Sequence, residues 1–248
     1  EHERKRSRWE SMVGFGLEQA KYNTTTLDKR LPGGFELNYS ADRVFYKANV
    51  FANIIGRFAD DRLKVSLGIR TDIMDFNEST INPLNQLSPR IAISYNINEN
   101  ITIDGNYGMY YQIPPYTALG YIGTDGNNSE LTFIGAQHFV FGSSQFWPWN
   151  AKTSIEGFLK RYSNYPFLLR DSISLGTAGG DFGVIGNQLA TANSEGRAYG
   201  LELTYQQKLF KGFFGIAAIT LVRSEFQDIG NKYVASSWDN GIIATFTF

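Results

Sequence analysis

Apolar and polar side chains alternate with a period of two in stretch after stretch of this 248-residue chain. Period two places successive side chains on opposite faces of a β-strand. Leu63, Val65, Leu67 and Ile69 line one face, opposite Lys64, Ser66, Gly68 and Arg70. Ile91, Ile93, Tyr95 and Ile97 oppose Arg90, Ala92, Ser94 and Asn96. Ile101, Ile103, Gly105, Tyr107, Met109 and Tyr111 oppose Thr102, Asp104, Asn106, Gly108 and Tyr110. The same rhythm predicts ten strands, at 8–20, 43–56, 62–72, 89–98, 101–112, 131–142, 150–162, 197–208, 212–225 and 239–248.

The connections between these strands alternate in length. Short joints fall at 57–61, 98–100, 142–149 and 210–212, and long joints, rich in Gly, Asn, Asp, Ser and Thr, at 21–42, 73–88, 113–130, 163–196 and 226–238. Strands of about ten residues with one apolar and one polar face, joined by turns on one side and long loops on the other, describe an antiparallel transmembrane β-barrel. Apolar side chains then face lipid, polar ones an aqueous lumen, and the long loops lie outside the cell. A soluble all-β binding domain with an aromatic core is the competing reading of the strand pattern.

Composition narrows the choice. Hydrophobic residues make up 42% and mean hydropathy is −0.26, without a run of about 18 apolar residues that could form a membrane-spanning helix. Aromatic residues reach 15%, enough to furnish girdles at both bilayer interfaces, with Trp9, Tyr22, Tyr46, Tyr111, Trp147, Trp149 and Tyr162 as the expected members. There are no cysteines to staple a small secreted domain. A net charge of −1 leaves no electrostatic footprint for nucleic acid, the cluster Arg4, Lys5, Arg6 and Arg8 notwithstanding. Glu1 begins no secretory signal, so the chain is expected to be processed or to be a piece of something longer.

Candidate chemistry is sparse. His2 and His138 have no second histidine or carboxylate at metal-ligand spacing, so no metal or cofactor site is expected. Asp60 and Asp61, and Asp72 and Asp75, read as solvated turn residues before they read as a general acid–base pair, and no catalytic residue is assigned. The glycine runs at 33–34 and 176–180 lack the lysine and helix of a phosphate-binding loop. The polar face carries Lys47, Asn49, Arg70, Arg90, Asp104, Glu156, Lys160, Glu202 and Gln206, mixed in sign, which suits holding a lumenal plug better than a selectivity ring. In the loop 112–128, Pro114, Pro115, Tyr116 and Tyr121 interleave rigid and aromatic residues above the lumen, as candidates for substrate contact or for loop packing.

The segment Leu87-Ser88-Pro89-Arg90 running into Ile91-Ala92-Ile93-Ser94-Tyr95, and Asn106-Tyr107-Gly108-Met109-Tyr110-Tyr111-Gln112-Ile113-Pro114-Pro115-Tyr116, resemble the barrel of TonB-dependent outer-membrane receptors, most of all those of Bacteroidetes. Gly68-Ile69-Arg70-Thr71-Asp72, Glu156-Gly157-Phe158-Leu159-Lys160-Arg161-Tyr162, Gly200-Leu201-Glu202-Leu203 and Ser236-Ser237-Trp238-Asp239-Asn240 fit the same family. The ending Ile242, Ala244, Phe246, Phe248 resembles a bacterial outer-membrane assembly signal, or a strand cut midway.

The resemblance implies active nutrient uptake through a barrel of about 22 strands around a plug. Ten strands are then an arc of that barrel, with residues 1–248 all barrel and no plug domain or energy-coupling box visible. The implied partners are the remaining strands and plug, an inner-membrane TonB complex, outer-membrane lipid and, in glycan- or peptide-importing branches, a surface lipoprotein lid. The alternative is a self-contained ten-stranded barrel, such as an omptin-like protease, an adhesin or a small pore.

Overall fold

A computed structural model describes residues 2–6, 8–30, 35–178 and 188–248. Strands β1 (His2–Arg6), β2 (Trp9–Arg30), β3 (Phe35–Phe58) and β4 (Leu63–Met74) open the chain, followed by helix α1 (Glu78–Ile81). Next come β5 (Ser88–Asn96), β6 (Ile101–Gln112), helix α2 (Tyr116–Leu119) and the short strands β7 (Ile122–Gly123) and β8 (Gly126–Asn127). The second half holds β9 (Ile134–Trp147), β10 (Ala151–Leu168), β11 (Ile173–Ser174), helix α3 (Leu175–Ala178), β12 (Ala190–Phe210), β13 (Phe213–Gln227), β14 (Tyr233–Ala235) and β15 (Gly241–Thr247).

The ten predicted strands are the ten long ones, β2 to β6, β9, β10, β12, β13 and β15. With the short strands β1, β11 and β14, which the alternation does not announce, they form one antiparallel sheet in the order β1-β2-β3-β4-β5-β6-β9-β10-β12-β13, with β11 on β10 and with β14 and β15 both on β13. Neighbours in sequence are neighbours in space, as an up-and-down barrel wall requires. Among the described residues no ladder joins β13, β14 or β15 back to β1 or β2, so the wall is an open arc.

Strand limits differ from the periodicity in three places. The joint expected at 21–42 is mostly ladder, because β2 and β3 stay paired from Trp9 with Gly56 up to Arg30 with Phe35. The sixth expected strand begins at Ile134 and runs on to Trp147, leaving a turn of three residues instead of eight. β12 starts at Ala190, seven residues before its apolar alternation begins, and β10 reaches Leu168. The residues added to β2, β3, β10 and β12 lie beyond the lipid-facing band, where nothing demands an apolar face, whereas Ser143 to Trp147 run down to the short turn level with Ile155 and Thr153, where polar residues interrupt the alternation.

The short connections are tight hairpins. Ala59, Asp60 and Asp61 have φ of 51°, 54° and 65°, and Lys211 and Gly212 have φ of 52° and 84°, the left-handed geometry that matches the twist of paired strands. Asn98 closes another turn by accepting from the amides of Asn100 and Ile101, both at 2.9 Å. The long connections all lie at the opposite end of the strands.

One face of the wall is an unbroken apolar band. Phe15 is 75% exposed, Leu17 81%, Phe141 66% and Ile242 68%, with Val50, Leu67, Ile93, Ile155, Leu201 and Leu221 also outward. Soluble proteins do not leave a patch of this extent in water. Among the described residues no helix is long and apolar enough to cross a membrane, which leaves strand crossing untouched.

The buried core sits at the long-loop end, on the other face. Phe45, Met74, Ala118, Leu119, Leu131, Phe133, Leu168, Leu175 and Ala190 form it, and Tyr22, Tyr116 and Tyr165 pack against it. The loops thus fold over the face that bears Lys47 and Met74, which makes that face the inner one. Tyr22 and Tyr162, expected in the interfacial girdle, are on this inner side instead: Tyr22 lies 6.0 Å from Tyr116, and Tyr162 stacks on Phe226 at 5.6 Å. Tyr111 also packs against the loop core. Trp147 and Trp149, stacked at 5.0 Å, mark the short-turn end of the wall.

Candidate functional site

Register decides which polar residues share the inner face. Asp104 on β6 is level with Gly142, Glu156 and Glu202 on β9, β10 and β12, so three carboxylates lie in one row. Two rows up, Arg90 is level with Gly108, His138 and Lys160. Asn49 is level with Asp72 and Lys47 with Met74, nearer the loops, while Gln206 lies level with Lys152 near the turns. All nine polar positions singled out in the sequence therefore stand on one wall.

Several are already engaged. Lys47 Nζ lies 2.6 Å from Glu18 Oε1 and donates to the Tyr116 hydroxyl at 2.9 Å. Arg70 donates through Nε to Asp72 Oδ2 at 2.8 Å, two residues along the same strand. Glu202 accepts from the hydroxyls of Thr204 and Thr220, both at 3.3 Å. Arg90 lies over the Tyr110 ring at 4.3 Å, and that ring is 4.6 Å from the His138 ring.

Two hollows open on this wall and share Tyr110. The lower, of about 540 Å³, is bounded by Asn53, Ser66, Arg70, Arg90 and Asn106 around Gly68. The upper, of about 460 Å³, is bounded by Tyr110, Gln112, His138, Tyr162, Tyr165 and Trp238, under the loops. Sequence reasoning missed Tyr110, Tyr162, Tyr165 and Trp238 as a group, because they come from β6, from β10 and from the connection before β15, far apart in the chain. Aromatic faces with hydroxyl and imidazole edges can stack on a ligand and hydrogen-bond it.

The loop 113–133 is packed from below. Tyr116 stacks on Phe45 at 5.2 Å with 9° between the rings. Pro115 caps α2, its carbonyl accepting from Ala118 at 2.9 Å and Leu119 at 3.1 Å. Pro114 is buried, and Tyr121, 4% exposed, donates its hydroxyl to Asp125 Oδ1 at 2.6 Å. Two asparagines clamp the loops to each other. Asn77 caps α1 and donates to the carbonyls of Ser129 and Leu131, both at 2.8 Å. Asn128, 1% exposed, donates to Ala118 O at 2.8 Å and Gln188 O at 3.0 Å and accepts from Ala190 N at 2.8 Å.

Among the described residues no group of three or more His, Asp or Glu is close enough to hold a metal ion. The side chain of His2, Gly33 and Gly34, and Gly179 and Gly180 lie outside the described residues.

Solved structures share this architecture. The copper transporter OprC superposes with a TM-score of 0.68 at 14% identity, over 98% of this chain and 39% of that one. The pyoverdine outer membrane receptor FpvA from Pseudomonas aeruginosa PAO1 gives 0.66 at 14% identity, over 99% of this chain and 37% of that one. The FrpB iron transporter from Neisseria meningitidis gives 0.61 at 11% identity, over 94% and 35%. The chain spans well under half the length of these structures. No curated protein sequence matches it. The family model described as TonB dependent receptor-like, beta-barrel, matches residues 4–246. With its open antiparallel wall, lipid-facing band and polar inner face, the chain belongs to the β-barrel family of TonB-dependent receptors of the bacterial outer membrane.

Proposed function

We propose that the chain forms part of the wall of a plugged barrel that imports a nutrient, namely a glycan, a peptide or a metal chelate, by TonB-driven transport. The inner wall carries this reading. Cations Lys47, Arg70, Arg90 and Lys160 are interspersed with Glu18, Asp72, Asp104, Glu156 and Glu202, a mixture that can hold a folded plug through ion pairs and hydrogen bonds. A filter for ions would use rings of one sign. Above it, the aromatic hollow under the loops is placed to meet a substrate on its way to the plug.

In this reading residues 1–248 are barrel, other polypeptide supplies the plug and remaining strands, and a surface lipoprotein lid covers the loops in the glycan- or peptide-importing case. The names of the structural neighbours, a copper transporter and a pyoverdine receptor, keep metal chelates among the substrates. The barrel does no covalent chemistry itself: His138 faces Arg90 and Lys160 instead of a carboxylate. A protease, adhesin or pore built from these ten strands alone would need the arc to close on itself.

The test uses the complete receptor in its host. Arg90→Ala and Tyr110→Ala each remove the cation–aromatic stack on the ring that the two hollows share and are expected to lower uptake about three- to tenfold, in line with about 1 kcal/mol per such contact. Heat-modifiable gel mobility should be retained. Uptake that persists undiminished in a strain without TonB would sink the reading.

A further inference from the structure

The outward face carries a feature that neither the lumen nor the plug explains. Gln137, Arg161, Arg197 and Glu225 lie level on β9, β10, β12 and β13, on the side of the wall that bears the lipid-facing band. Arg161 is directly opposite Arg197, an arrangement of like charges that is unfavourable on a sheet unless something intervenes. Arg197 is held by Glu225 Oε2 at 2.7 Å and lies 4.2 Å over the Tyr233 ring. Arg161 is exposed and has no carboxylate partner among the described residues.

The level of this pair follows from strand geometry. From Asn150 in the short turn to Arg161 is about 37 Å of strand, or about 28 Å of height at a tilt of about 40°. That is one hydrocarbon thickness above the Trp147–Trp149 stack. The arginines therefore stand at the headgroup level of the outer leaflet.

Around them is a polar hollow of about 500 Å³, lined by Arg161, Arg197, Ser163, Tyr233 and Glu195, whose carboxylate accepts from the Gln227 amide and the Tyr233 hydroxyl, with Leu159 and Tyr199 at its lower edge. Those last two residues also border a second hollow, of about 650 Å³, which continues down the apolar band between Phe139, Phe141 and Leu201. Its floor is open because Gly105 and Gly157 stand level with Phe141 and have no side chains. A polar pocket bearing two arginines, one of them without a carboxylate of its own, and opening into an apolar trough has the shape and polarity of a charged head joined to a hydrocarbon tail.

We propose that this outward face is a binding site for a phosphorylated membrane lipid of the outer leaflet, its phosphate bridging Arg161 and the free edge of Arg197 and one acyl chain lying in the trough over Gly157. The phosphate relieves the repulsion between the two guanidinium groups. The site is on the opposite face from the proposed uptake path and stands or falls independently of it.

The experiment is native mass spectrometry of the complete receptor in detergent, titrated with dioleoylphosphatidic acid, dioleoylglycerol or inorganic phosphate. Phosphatidic acid should be retained at least about fivefold better than dioleoylglycerol, the equivalent of a single basic contact at a membrane surface. Arg161→Gln should abolish that preference and Arg161→Lys should keep most of it. Gly157→Leu should fill the trough and lower retention of both lipids; the nearest atom to a new Cβ there is Leu201 Cδ2 at 3.3 Å, the end of a side chain able to shift. Equal retention of dioleoylglycerol, wild-type retention in both Arg161→Gln and Gly157→Leu, or displacement of the lipid by an equal concentration of inorganic phosphate would each overturn the proposal.

Discussion

Asn128 joins two extracellular loops from a place that water does not reach. Its amide satisfies Ala118 and Gln188, 10 and 60 residues away, and Ala190 N completes the set. A buried group that loses its partner costs about 1–3 kcal/mol. Asn128→Ala should therefore let a protease cut within 113–133 at much lower dose, while the wall keeps its heat-modifiable mobility. Leu131→Ala, at a position with 0% exposure in the same core, should loosen the loops by about 2–5 kcal/mol with the same readout. Of the two asparagine clamps, Asn77 had a local sign in the sequence, since Asn-x-x-Thr can form a reciprocal cap with Thr80, as it does here. Asn128 had none, because its partners lie far off along the chain. Tyr116 and Tyr121 illustrate the same limit: aromatic residues in a loop were legible, but their stacking on Phe45 and bonding to Asp125 depend on where the loop comes to rest.

At the scale of elements, the strands were legible wherever they cross the lipid. Alternation there is forced by two solvents, so Leu63 to Ile69 and Ile91 to Ile97 announce both the strand and its faces. Beyond the band that constraint ends. Asn23, Thr24, Thr25 and Thr26 read as loop, yet they pair with Asp42, Ala41, Ser40 and Tyr39 in a ribbon standing above the wall. From Phe35 to Ser40, before Ala41 and Phe45 enter the loop cores, β3 pairs with β2 alone among the described residues, and a two-stranded ribbon is marginally stable by itself. Hydrogen exchange should show the amides of 25–30 and 35–40 exchanging orders of magnitude faster than those of 153–161, which lie between β9 and β12. Equal protection in the two regions would mean that the ribbon has a partner in the complete receptor.

For the whole molecule, the consequence of an open sheet is that two edges of backbone N–H and C=O groups face hydrocarbon, a cost of several kcal/mol for each unpaired group. The 248-residue chain purified alone in detergent should accordingly fail to give a compact, heat-modifiable band, and the complete receptor should give one. A compact band from the chain alone would show that the arc closes without help. The sequence by itself determined the ten long strands, the antiparallel order, the lipid and lumen faces and the side from which the long loops rise, because each follows from alternation and from connection length, which are local. Tertiary structure alone decided that the loops build a buried core over the inner face, that Tyr110, His138, Tyr162 and Trp238 meet in one hollow, and that Arg161 stands opposite Arg197 above an apolar trough. These depend on register between strands and on where loops come to rest, and both are set by contacts between residues far apart in the chain.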